Sequence, residues 1–138
     1  MVDKYLSTYA ILPGDLPEIK GNWEHVLVVP CFGEWADFLD RLAATQQHVS
    51  LLVVLVINRP ESADAGCNRF IREYLAQHPT QPLRTGYQLH HLDEQLTALS
   101  IELDALEGPT PSAEGVGRAR RVGCDTALAL IQQGVIKS

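Results

Sequence analysis

Two short, almost uninterrupted apolar runs limit what this chain can become. Val49–Ile57 reads VSLLVVLVI, and His25–Pro30 reads HVLVVP. A strand of this composition has no polar face to offer to water, so it must be covered on both sides. The longest fully apolar stretch, Leu51–Ile57, is far below the ~20 residues of a membrane-spanning helix. Strands buried on both faces belong to parallel sheets with helices above and below.

The segments between and after these runs fit that frame. Residues 1–24, with Pro13, Gly14, Pro17 and Gly21, read as an irregular lead-in. After Pro30 the CFGE turn leads into WADFLDRLAATQQ, where Trp35, Phe38, Leu39 and Leu42 recur at helical spacing. Asn58-Arg59-Pro60 ends the second run, and Ser62 is placed to cap a helix over 63–77 with Phe70, Ile71, Tyr74 and Leu75 on one face. HPTQPLRTG reads as a loop. Tyr87, Leu89 and His91 alternate, as do Leu99, Ile101 and Leu103. Both stretches read as strands, with a helix over 94–106 as the competing assignment. GPTPSAEG is the most loop-like segment, and 107–116 is expected to be a mobile loop. Residues 117–133 read as a helix with Ala119, Val122, Ala127, Leu128 and Ile131 on its apolar side and Gly134 as C-cap. The expected fold class is therefore α/β: a single Rossmann-like, three-layer domain with a mostly parallel sheet.

Composition sharpens the functional classes. The 138 residues suit one domain, and a net charge of −6 argues against a nucleic-acid-binding surface and against anionic membranes. The N-terminus has no basic stretch ahead of an apolar core, so no signal peptide is expected. Cys31, Cys67 and Cys124 form neither a CxxC motif nor a metal-ligand spacing, which fits a reduced cytoplasm and small buried residues.

Ligands of open parallel sheets bind at the carboxyl ends of the strands. Two such places are Pro30-Cys31-Phe32-Gly33-Glu34 and Asn58-Arg59-Pro60-Glu61. Glu34 and Asn58 can hydrogen-bond a base or a ribose, although Glu34 equally suits the first turn of a helix. The third place is Gly115-Val116-Gly117-Arg118-Ala119-Arg120-Arg121. A helix start with glycines and three arginines suits a diphosphate, and a solvated basic face is the plainer alternative. It is no dinucleotide fingerprint, because Arg120 stands where the last glycine of GxGxxG would fall. His90 and His91 point to opposite faces of a strand, and His25, His48 and His78 sit at element edges.

Together these places resemble the start of the family 2 glycosyltransferases of the GT-A fold. Val29-Pro30-Cys31-Phe32-Gly33-Glu34 is similar to that family's V-P-x-F/Y-x-E strand end. Gly115-x-Gly117-x-Ala119-Arg120-x-x-Gly123-x-x-x-Ala127 is similar to its G-x-x-x-A-R-N-x-G-x-x-x-A helix. The resemblance covers most of residues 24–138. It implies that Pro30, Phe32 and Glu34 border the base and ribose of a nucleotide-diphosphate sugar, that Asn58 lies near them, and that Gly115, Gly117 and Arg120 approach the diphosphate.

The departures are as specific. Gly33 replaces a common Asn, Asn58-Arg59-Pro60 replaces an acidic loop, and Arg121 stands where Asn is usual. The family's DxD carboxylates hold a divalent Mg or Mn ion on a strand expected to begin where this sequence stops. The expectation is a nucleotide-diphosphate-sugar-binding portion of a glycosyltransferase, without catalytic residues or metal of its own and inactive alone. The alternative is a non-catalytic small α/β module that binds a nucleotide or a protein, with exposed strand edges favouring self-association. A third reading is a small enzyme using Cys31 at the strand end.

Overall fold

The computed structural model describes residues 16–33, 36–45, 48–64, 66–110 and 115–137. Five strands form one open sheet: β1 (His25–Cys31), β2 (Leu51–Ile57), β3 (Thr80–Arg84), β4 (Tyr87–Asp93) and β5 (Leu96–Glu102). Among the described residues four helices accompany them: α1 (Asp37–Thr45), α2 (Arg69–Ala76), α3 (Leu103–Glu107) and α4 (Gly115–Gln132).

The strand order is β1-β2-β5-β4-β3. β1, β2 and β5 are parallel, whereas β4 runs antiparallel to β5 and β3 antiparallel to β4. The sheet is thus mixed, which corrects the expectation of a mostly parallel one. The reason lies in the connections. Only Glu94 and Gln95 separate β4 from β5, and only Thr85 and Gly86 separate β3 from β4. Two residues can close an antiparallel hairpin but cannot carry a parallel crossover. Gly86 sits at φ +85°, a backbone conformation that two-residue hairpin turns demand and L side chains resist.

HPTQPLRTG, read as a loop, contains β3. Pro82 misleads because it cannot donate to a ladder, but β3 is the outermost strand and has a side with no ladder to feed. The pairing also shifts between Pro82 and Arg84. The helix expected over 63–77 begins only at Arg69, and residues 66–68 form a turn instead.

All seven residues of β2 are buried, as its composition requires. Leu52, Val54 and Val56 face one core with Leu99, Ile101, Ala119, Val122 and Leu130. Leu51, Val53, Leu55 and Ile57 face the other with Leu39, Ile71, Leu75 and Ala98. α4 therefore covers one face of the sheet, and α1 with α2 cover the other. Tyr74 of α2 donates a hydrogen bond to Asp40 of α1 at 2.8 Å, tying the two helices together.

Candidate ligand site at the strand ends

The parallel strands end level with one another, because Cys31 pairs with Ile57 and Ile57 with Glu102. The loops that leave this edge are bound together by buried polar groups. The backbone N–H of Asn58 donates to the Cys31 carbonyl at 2.9 Å. Asn68 accepts from the Gly33 N–H at 2.9 Å and donates to the Asn58 carbonyl at 2.8 Å. Thr110 donates its hydroxyl to the Asn58 side-chain oxygen, and its backbone pairs with Arg59 and Glu61. Arg59 grips Asp104 through two hydrogen bonds of 3.0 Å each. Asn58, Asn68 and Thr110 are all buried, as groups with satisfied hydrogen bonds can be.

This network occupies a telling place. The connection after β2 crosses to the α1–α2 face, where α2 buries Ile71 and Leu75. The connection after β5 crosses to the α4 face, where α3 buries Leu103. Such a divergence of connections opens a crevice in α/β sheets. Here the Asn58–Thr110 and Arg59–Asp104 contacts span it, so the open part of the edge lies at the end of β1.

There the chain offers different groups. Phe32 is 45% exposed, high for a large apolar side chain. Gly33 turns the backbone at φ +62°. Pro30 is half-buried within β1. α4 runs back along β1, since Ile136 beyond its C-terminus bridges to Trp23 just ahead of the strand. A Cβ on Gly123 would stand 2.3 Å from a Val28 methyl, so helix and strand touch there. Gly117 is less than two turns further toward the helix N-terminus, about 9 Å at 1.5 Å per residue. Cys31 is about 10 Å beyond Val28 along the strand. The first turns of α4 and the end of β1 therefore stand at the same height.

The expected site residues divide accordingly. Pro30, Phe32, Gly117 and the backbone of Gly115 lie at this edge. Gly117 has open space where a side chain would be. Arg120 is exposed on the helix side shared with Gly117, Arg121 and Cys124. Asn58 is only 2% exposed and its oxygen is taken by Thr110, so it organises the loops from within. Arg118 is paired with Glu107 through two contacts of 2.6 Å. Glu34, like 111–114 of the expected mobile loop, lies outside the described residues. Asn68 and Thr110 were not anticipated; an asparagine just ahead of a helix reads as a cap, and nothing local says that it reaches back to two strand ends.

Two hollows lie elsewhere, over the antiparallel part of the sheet. One of about 320 Å³ is bordered by α2, β4 and β5. Another of about 510 Å³ lies by the β3–β4 turn and shares Gln88 and Glu102 with it. Among the described residues no three His, Cys, Asp or Glu side chains cluster as a metal site, and no helix is long and apolar enough to cross a membrane.

The fold and this edge define an open, mixed α/β sheet with a three-strand parallel part whose ends are gathered by one polar network. No protein-family model matches the chain, and neither a curated protein nor a solved structure matches it.

Proposed function

We propose that the end of β1 and the first turns of α4 bind the nucleoside diphosphate part of an activated sugar, as the donor-binding portion of a glycosyltransferase. What supports this reading is an exposed aromatic ring, Phe32, at the end of β1 and, at the same height, a helix start bearing glycines and Arg120. A ring of this kind can stack on a base, while backbone N–H groups at a helix start and an arginine suit phosphate oxygens. No residue is assigned to a metal.

Thermal shift with millimolar UDP and GDP tests the reading. Binding to the native state raises the apparent melting temperature. Phe32→Ala and Arg120→Ala are expected to reduce the rise, and both positions are exposed enough for the fold to tolerate the change. No rise with either nucleotide sinks it.

A second reading draws on β1 itself, which exposes Leu27 at 40% and is followed directly by the exposed Phe32. A module that binds protein through this strand would bury both. Self-association that Leu27→Asp abolishes, without any nucleotide effect, would favour it.

A further inference from the structure

We propose that the hollow between α2 and the β4–β5 hairpin binds a small zwitterion of the α-amino acid class, its carboxylate on Arg72 and its ammonium on Glu102. This site stands on the α1–α2 face of the sheet and does not depend on the nucleotide reading.

The hollow measures about 320 Å³, the lower range of small-ligand pockets. Its wall is apolar, from Leu75 and Ala76 of α2. Its floor is polar but closed upon itself. Thr80 donates its hydroxyl to the His78 carbonyl at 2.9 Å, which can only accept. The His90 Nδ1 lies 2.9 Å from that hydroxyl oxygen, within hydrogen-bond reach of it. The His90 Nε2 lies 2.8 Å from the Ser100 hydroxyl, which also reaches the Gln88 carbonyl at 3.4 Å, so both ring nitrogens are engaged. Burial, reinforced by the neighbouring His78 and His91, lowers the His90 pKa to about 4, so the floor carries no charge near neutrality.

Charge is confined to the rim. Arg72 meets Glu102 through Nε at 3.0 Å and Nη2 at 2.8 Å, the side chains being 35% and 22% exposed. A monoanion that captured Arg72 would leave the partly buried Glu102 carboxylate unpaired, and a monocation on Glu102 would do the same to Arg72. Leaving one member of a partly buried pair alone is penalised. A ligand carrying both charges replaces both partners at once and leaves neither unpaired. Its side chain can then extend between Leu75, Ala76 and Ser100. A neutral polar molecule leaves the ion pair intact and only exchanges hydrogen bonds with water.

Isothermal titration calorimetry with the free amino acids, their N-acetyl derivatives and their amides decides the matter. At least one free amino acid is expected to bind, and blocking either end should weaken it about tenfold or more. Glu102→Gln and Arg72→Gln should each reduce affinity by a similar factor. Ala76→Phe, at an exposed position of α2, should close the hollow with the ion pair untouched and abolish binding. Circular dichroism establishes that each variant is folded. The proposal is overturned if no free amino acid binds, if the blocked derivatives bind as well as the free ones, or if folded Ala76→Phe binds unchanged.

Discussion

Asn68 stands at the N-cap position of α2, yet its side chain makes no cap. It reaches instead to Gly33 and Asn58, stapling the ends of two strands. His90 shows the same priority of tertiary need over local rule. As one of two adjacent histidines on a strand it looks unremarkable, yet it is 2% exposed and held at both ring nitrogens. Its pKa, lowered by burial from 6.5 to about 4, has a consequence for stability. Between those values the unfolded chain takes up a proton that the folded chain refuses, so His90 destabilises the fold as pH falls from 6.5 toward 4 and is without effect above that window. Urea midpoints at pH 7.5 and 4.5 should therefore differ more for the native protein than for folded His90→Gln. Equal pH dependence in the two would show that His90 is not held neutral.

At the scale of elements, α4 and β1 meet through Gly123. Glycine in a helix interior is unfavourable by about 1 kcal/mol relative to alanine, so Gly123→Ala should stabilise an isolated helix. In the folded chain the new methyl would meet Val28 at 2.3 Å and Val56 at 3.0 Å. Overpacking of this sort costs about 1–3 kcal/mol, which outweighs the helix gain. Gly123→Ala is expected to lower the melting temperature, and Val28→Ala in the same chain to recover part of the loss. Additive effects in that double-mutant cycle would deny the contact. The elements themselves were largely legible. LLVVLVI, with no face for water, could be little else than a buried strand, and the 3.6-residue pattern of α4 was equally plain. β3 was not legible, since Pro82 disguises an edge strand. The antiparallel pairing could have been inferred from the two residues, Glu94 and Gln95, between β4 and β5. α2 starts late because Asn68 serves the strand ends, a demand that no local pattern displays.

Across the whole molecule, stability is graded from the middle of the sheet outward. β2 is buried along its entire length, whereas four of the five residues of β3 are exposed. Native-state hydrogen exchange should find β2 amides opening only with global unfolding and β3 amides opening first. Equal protection in the two strands would contradict this gradient. The site followed the same division between pattern and assembly. That the strand ends form a candidate site could be read from the order of elements, and Phe32 directly follows β1. That Asn58 would be buried under Thr110, a residue 52 positions away, could not. Such pairing depends on where the connections after β2 and β5 cross. It also gives the edge a mechanical character. Gly33, Asn58, Asn68 and Thr110 form a collar in which each loop is tethered to the next. The turn after β1 is bonded through Asn68 to the end of β2, and through Asn58 to Thr110. Displacing any one of these loops would therefore have to break, or carry along, a hydrogen bond to the next.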